Sequence, residues 1–479
     1  MELMNTEQNQ VVLPELFLKR MQALLAAEYE AFVQSYEAER VQGLRFNTLK
    51  GRLADLLRDN EDRFGLQPIS WCREGFYYDG ETRPGKHPLH EAGVYYIQEP
   101  SAMAAVELLD PQPGEIVLDL CAAPGGKTSH IAARLEGQGL LVSNEIHPAR
   151  ARILSRNVER MGIMNGVVTN EDAEKLETFF PEFFDKIMVD APCSGEGMFR
   201  KDARARAEWS ENNVKLCADR QQVILDHAAG MLKPGGRMVY STCTFAPEED
   251  EEGIARFLER HPDFFIEKVT GREGLSPGQP KWSEVSCDDL VNTFRIWPHL
   301  SRGEGHYLAV LGKRGNPGEA ESKPEKKGTG ISFWKDKAGK KMFRDFVKET
   351  FCWEPGEDQL VLFGEQLYQV PEQMPGLAGL KVLRPGLHLG TLKKNRMEPA
   401  HALALALRPE QVKQSICFHS EGDEIREYLR GNSLPERGLP QKGWVLVCAD
   451  GYSLGWAKAA AGVLKNHYPK GLRVNVFSY

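Results

Sequence analysis

The chain has 479 residues, 41% hydrophobic and 27% charged, with a formal net charge of −8. That length allows two to four domains, and the composition is that of a soluble globular protein, which excludes collagenous and prion-like classes. An acidic balance argues against a chain that attracts phosphates over its whole surface, and no apolar run is long enough to cross a bilayer.

The first ten residues are polar and acidic, unlike the basic-then-apolar start of a secretory signal, so a cytoplasmic protein is expected. Residues 14–36 place Leu16, Met21, Leu24, Leu25 and Phe32 at helical spacing and predict a helix. Residues 44–78 mix short apolar runs with Gly and Pro, the pattern of a small α+β unit. From about 94 to 313, short buried strands alternate with longer amphipathic segments, as in βαβ units on a parallel sheet. Strands are predicted at 116–120, 140–144, 166–169, 186–189 and 237–241, with one more at 306–311 near the sheet's end. Helices are predicted at 127–135, 148–161 and 214–232, and Pro234-Gly235-Gly236 reads as a turn into the fifth strand. Residues 314–330 have the Gly-, Pro-, Lys- and Glu-rich composition of a linker. Beyond them a second folded region is expected, with a strand at 444–448 and a helix at 457–464. From residue 381 onward, 15 Lys and Arg face 8 Asp and Glu, so a basic end follows an acidic body.

The segment Cys121-Ala122-Ala123-Pro124-Gly125-Gly126-Lys127-Thr128 runs from an apolar strand through a Gly-rich turn into a helix. Glycines let a backbone approach a ligand closely, and a helix N-terminus offers free N–H groups. In open α/β sheets the ligand crevice lies beyond the strands' carboxyl ends, where this turn falls. A phosphate-binding loop needs glycine where Cys121 stands, and the G-x-G-x-x-G of dinucleotide folds is absent. Glu145 ends the second strand, where an acid binds ribose hydroxyls in such folds, and Asp172 follows the third strand, toward the adenine side. Each is equally readable, taken alone, as a solvated acid.

Nine cysteines occur without a Cys-x-x-Cys pair, so reduced thiols are expected rather than a disulfide framework, and no metal site. Asp190-Ala191-Pro192-Cys193-Ser194-Gly195 follows the fourth strand and Ser241-Thr242-Cys243-Thr244 the fifth. If those strands are neighbours, their ends lie about 5 Å apart and both thiols open into one crevice. Free cysteines are commonly buried packing residues, but two at matched strand ends suit cytosine chemistry. Carbon 5 of cytosine becomes nucleophilic only after a thiolate adds at carbon 6, and a second group must help release the product. Asp190 is placed to hydrogen-bond the N3/N4 edge of the base.

These three segments closely resemble the Nol/Nop/Sun family of RNA cytosine-C5 methyltransferases. Arg45-Phe46-Asn47 resembles the family's N-terminal RNA-contact element, and Tyr96-Ile97-Gln98-Glu99-Pro100-Ser101 its lead-in to the catalytic domain. The resemblance implies S-adenosylmethionine as cofactor, Cys243 as nucleophile and Cys193 as the thiol that assists release. It implies cofactor contacts from Cys121, Ala122, Ala123, Pro124, Gly125, Gly126 and Lys127, and from Glu145, Asp172 and Asp190. It implies, too, that Lys127 faces the base and that Arg45 and Asn47 contact RNA. The tail, in Gly390-Thr391-Leu392-Lys393-Lys394-Asn395-Arg396-Met397-Glu398-Pro399 and in Gly455-Trp456-Ala457-Lys458, resembles the branch that methylates 16S ribosomal RNA of the small subunit and ends in a PUA-like module.

The expected architecture is α/β. An RRM-like (ferredoxin-like) α+β domain at 1–93 precedes a Rossmann-like class I methyltransferase domain at 94–313. The linker at 314–330 leads to an intermediate module at 331–390 and a PUA-like RNA-binding module at 391–479. The expected protein is a monomer acting on 16S ribosomal RNA. Transfer RNA as substrate, or a catalytically silent ribosome-assembly factor, are the alternatives. DNA is disfavoured because DNA cytosine methyltransferases carry the nucleophile in a Pro-Cys after the fourth strand.

Overall fold

The computed structural model describes residues 12–270, 273–316 and, apart from 354, 355, 358, 436, 437 and 439–441, residues 334–473. Most of the stretch read as a linker, and the polar first ten residues, lie outside the described residues.

A ten-stranded sheet forms the centre of the molecule. Its parallel part runs Gly166–Thr169, Leu140–Asn144, Ile116–Asp119, Phe184–Asp190 and Leu232–Thr242. His306–Lys313 then adds antiparallel to Leu232–Thr242. These strands are near-continuous apolar runs because both faces are covered. Successive residues serve opposite cores: Leu118, Val142 and Val167 pack with Phe180, Leu225 and Phe257 on one side. Val117, Leu141 and Val168 pack with Ile131, Leu154 and Val158 on the other. The doubly wound core expected from the sequence is present. Two predicted strands, Leu140–Asn144 and Gly166–Thr169, match residue for residue. The fifth is longer: Pro234-Gly235-Gly236 lies inside the strand Leu232–Thr242, where the pairing register shifts rather than the strand beginning.

The N-terminal unit is a four-stranded antiparallel sheet of Gly43–Phe46, Gln67–Ile69, Cys72–Tyr77 and Tyr95–Ile97. Its spatial order, second-third-first-fourth, with helices after the first and third strands, is the βαββαβ topology of RRM-like folds. The sheet extends past residue 93, through Ile97. Ahead of it, the single helix expected over 14–36 is two, Glu15–Leu25 and Tyr29–Ser35, broken where Ala26 takes a positive φ of 48°. They bury Phe17 against Phe199 (ring centroids 4.9 Å apart) and Phe32 against Phe245 (5.4 Å). Both partners lie just beyond the two cysteine segments.

In the C-terminal region one four-stranded sheet spans Leu360–Phe363 to Arg396–Pro399, running through residue 390. A second, five-stranded sheet holds Gly443–Ala449 between Ser415–Phe418 and Tyr452–Ala460. The helix expected at 457–464 is not there. Tyr452–Ala460 and Val463–Asn466 are strands, since every residue from Gly443 to Ala449 finds its ladder partner on Tyr452–Ala460, the register shifting between Val447 and Cys448 where Leu454 is skipped. Tertiary pairing outweighs the helix preference of Ala457, Ala459, Ala460 and Ala461. A further strand, Val382–Arg384, leaves this region and pairs antiparallel with Gly166–Thr169 of the central sheet. Among the described residues no helix is long and apolar enough to cross a membrane.

Candidate active site

Where the strand Ile116–Asp119 ends, the chain turns through Cys121–Pro124 and enters the helix Gly126–Leu135. Gly125 makes that entry at φ +114°, a conformation L side chains rarely adopt. The first N–H groups of the helix have no intrahelical acceptor. Around the turn, Arg150 Nη2 donates to Ala123 O at 2.8 Å and Asn157 Nδ2 to Pro124 O at 2.7 Å. Asn144 ties three strand ends together: its Nδ2 donates to Leu120 O and Glu171 O, and its Oδ1 accepts from Thr169 Oγ1 and Glu171 N. Beneath the turn, Asp119 accepts from Thr128 Oγ1 at 2.6 Å. Burial, helped by the nearby Asp190 charge and opposed by Thr128, pushes the Asp119 carboxyl up to about 7.

Phe184–Asp190 and Leu232–Thr242 are parallel neighbours, with Asp190 opposite Ser241, so the expected adjacency of the two cysteine segments holds. The Cys193 and Cys243 sulfurs are 3.2 Å apart and both are partly exposed. Lys127 Nζ lies 2.8 Å from Asp190 Oδ2, and Ser241 Oγ donates to Asp190 Oδ1 at 2.8 Å. Burial alone would raise the Asp190 carboxyl; Lys127, His306 and Ser241 outweigh it and hold it below the ordinary carboxylate range. The contact with Cys243, then burial, then the Glu249 charge raise the Cys193 thiol well above its usual value. Cys121 is raised by burial as well.

Glu145 sits at the end of Leu140–Asn144, as expected; its Oε1 accepts from His147 N at 2.9 Å and its Oε2 is 3.4 Å from Arg150. Asp172 is exposed and caps the helix Ala173–Phe179, accepting from Lys175 N at 2.7 Å. Arg45 and Asn47, expected to contact RNA, are both fully buried in this structure. Arg45 donates to Gly126 O at 3.1 Å and Ser129 Oγ at 2.8 Å, fastening the N-terminal sheet to the start of the helix Gly126–Leu135. Asn47 donates to Gly93 O and Met161 O.

Sequence reasoning missed His306, which starts its strand buried, with Nδ1 2.7 Å from Gly305 O and its charge field on Lys127 and Asp190. It also missed Glu196 and Glu249, buried behind the two cysteines. Cys72, Glu74, Glu107 and His130 bring one donor atom each within 4.8 Å of one another, all buried. Arg45 and Arg134 already lie in the field of the two carboxylates, and His130 Nε2 is 3.3 Å from Glu107. The group reads as a buried ion-pair network whose cations are side chains.

Known families match this chain from end to end. Residues 13–100 match the N-terminal domain of 16S rRNA methyltransferase RsmF, and 106–312 match 16S rRNA methyltransferase RsmB/F. Residues 345–407 match the RsmF rRNA methyltransferase first C-terminal domain, and 415–474 the methyltransferase RsmF PUA domain. Ribosomal RNA small subunit methyltransferase F of Erwinia tasmaniensis is 32% identical over 481 residues, covering 97% of each chain. Its namesake from Klebsiella pneumoniae is 32% identical over 479 residues, again covering 97% of each. A methyltransferase homolog protein from Pyrococcus horikoshii, solved by crystallography, aligns with a TM-score of 0.56 at 30% identity, covering 63% of this chain and 95% of that one. With its N-terminal, catalytic and C-terminal parts all matched in order, the chain belongs to the ribosomal RNA small subunit methyltransferase F family.

Proposed function

We propose that the protein transfers a methyl group from S-adenosylmethionine to carbon 5 of a cytosine in 16S ribosomal RNA, with Cys243 as nucleophile and Cys193 assisting release. The observation that carries this reading is the pair of sulfurs 3.2 Å apart at adjacent strand ends, beside the Lys127–Asp190 contact.

The residues around the Gly-rich turn fit an adenosyl group. Glu145 offers a carboxylate to ribose hydroxyls, and Ile146 beside it, 57% exposed, offers an apolar side chain to a base. Cys121 to Lys127 and Asp190 complete the cradle, with Asp172 at its adenine end. When bound there, S-adenosylmethionine supplies an electrophilic methyl group.

On the protein's side, the attacking form of Cys243 is the thiolate, its proton passing to solvent, and Cys193, with its sulfur 3.2 Å away, can donate to the Cys243 sulfur. That thiolate adds to carbon 6, and Asp190, anchored by Lys127 and Ser241, hydrogen-bonds the N3/N4 edge as charge moves into the ring. Carbon 5 is then nucleophilic and takes the methyl group. For release, the carbon-5 proton must leave; its C–H electrons restore the C5–C6 double bond and the C6–S electrons return to Cys243. Before release, Cys193 gives its own proton to solvent, and the Cys193 thiolate then accepts the carbon-5 proton. The base must reach this crevice from a single-stranded region or by flipping. The basic excess from residue 381 onward, 15 Lys and Arg against 8 Asp and Glu, neutralises phosphates.

Bisulfite mapping of 16S RNA from cells with and without the gene tests the target: one cytosine, or a few, should lose methylation, whereas loss confined to transfer RNA moves the substrate assignment. With purified protein, Cys193→Ala should accumulate a covalent RNA adduct and Cys243→Ala should abolish it. Full methylation by Cys243→Ala overturns the assigned chemistry.

A further inference from the structure

The segments that carry Cys193 and Cys243 each hold a buried glutamate that grips the other segment. Glu249, six residues past Cys243, is fully buried. Its Oε2 accepts from the N–H of Ser194, the residue after Cys193, at 3.0 Å, and from Gln221 Nε2 at 2.8 Å. Gln221 Nε2 also donates to Pro192 O at 3.1 Å, so the residues on both sides of Cys193 are held through one carboxylate.

Glu196, three residues past Cys193 and equally buried, reaches the opposite way. Its Oε2 accepts from the N–H of Phe245, two residues past Cys243, at 3.0 Å, and its Oε1 from Trp209 Nε1 at 2.9 Å. Ser194 Oγ to Thr244 Oγ1 at 2.8 Å, and Gly197 N donating to Cys243 O at 2.9 Å, complete the stitching. Neither carboxylate has a cation at salt-bridge distance among the described residues. Burial raises both, Glu249 to about 7. Carboxylates buried without a counter-ion cost stability, a cost expected where a site must be held in one geometry.

We propose that Glu249 and Glu196 form a crossed clasp: Glu249 is a positioning residue for Cys193 and Glu196 for Cys243, and together they set the sulfur-to-sulfur spacing. This rests on the roles given to the two cysteines above. Because the clasp is crossed, its two halves fail differently. Glu249→Ala frees Cys193 while Cys243 still attacks, so RNA adduct builds up. Glu196→Ala frees Cys243, so adduct does not form.

The test uses the full chain with 16S RNA and S-adenosylmethionine, reading adduct on denaturing gels. Dibromobimane cross-linking of the Cys193–Cys243 pair, read by mass spectrometry, is measured in parallel. A displacement of about 1 Å in a reacting group costs on the order of 100-fold in rate. Accordingly, adduct should rise ~10-fold or more over wild type in Glu249→Ala and fall by a similar factor in Glu196→Ala, with cross-linking slowed in both. Glu249→Gln and Glu196→Gln keep an acceptor oxygen and should restore adduct levels and cross-linking toward wild type, which separates positioning from failure to fold. Equal adduct in the two Ala variants, or wild-type cross-linking rates, overturns the clasp when Cys193→Ala accumulates adduct. If Cys193→Ala itself yields none, the assigned cysteine roles fail instead, and cross-linking alone decides the clasp.

Discussion

Lys127, in the first turn of the helix Gly126–Leu135, lies 2.8 Å from Asp190, the last residue of the strand Phe184–Asp190. One contact therefore joins the cofactor-side turn to the strand end that leads into Cys193.

Removing the Lys127 ammonium should be visible in pH dependence. The folded Asp190 carboxyl is held below its ordinary range, so its stabilising contribution is present above that range and is lost as pH falls through the folded value. Lys127→Met should lower stability at neutral pH by about 1 kcal/mol, a figure discounted for the solvent reaching Asp190. The deficit should shrink in strong acid. Thermal melts at pH 3, 5 and 7 check this; a deficit constant across that range rejects it.

Asp119 and Glu249 have the opposite sign. Both carboxyls are raised, by burial first, to about 7. A raised carboxyl favours folding fully below the ordinary carboxylate range, and that contribution is lost as pH climbs to about 7. Asp119→Asn should therefore flatten the fall in melting temperature between pH 5 and 8, and gain on wild type at the upper end. An unchanged slope places the titration elsewhere.

Arg45 is a packing residue with directional demands, and Lys is no substitute for its fork. Arg45→Lys cannot reach Gly126 O, Ser129 Oγ and Gln98 Oε1 together. It should destabilise the protein by about 3 kcal/mol, as breaking a buried charged network does, and weaken S-adenosylmethionine binding by displacing the helix start. Calorimetry of cofactor binding distinguishes this from an RNA-contact role, which would leave cofactor affinity intact.

Gly197 has no room for a methyl group. A Cβ there would stand 2.9 Å from Gly305 O and 3.0 Å from Cys243 O, both backbone atoms. Gly197→Ala should push the Cys243 segment out of register and cut methylation by ~100-fold, the scale of a one-ångström misplacement, with a smaller effect on melting temperature. Near-normal turnover means that the Cys243 backbone tolerates the shift.

The central sheet was legible because buried parallel strands leave short apolar blocks punctuated by turns, and Leu140–Asn144 and Gly166–Thr169 are bounded that way. Cys193 and Cys243 were legible because strand adjacency follows from the doubly wound pattern. The burial of Arg45 was not legible because its partners Gly126 O and Ser129 Oγ lie 81 and 84 positions away in sequence. Glu249 was hidden in the run Glu248-Glu249-Asp250-Glu251-Glu252, which by composition alone is a solvated acidic face. In the structure, Glu249, Asp250 and Glu251 are fully buried. The alanines of 457–461 were misread because ladder pairing is long-range information that a local window does not hold.

Val382–Arg384 covers the flank of Gly166–Thr169, and its hold is reinforced where Asn170 N donates to Lys381 O at 2.9 Å and Lys381 N to Glu171 Oε1 at 2.7 Å. Strand flanks left bare present a row of unpaired N–H and C=O groups to any passing chain. The C-terminal region thus guards the border of the central sheet. A catalytic fragment cut before residue 381 would carry every reactive residue yet expose a self-adhesive border, so its first defect would be clumping rather than lost chemistry.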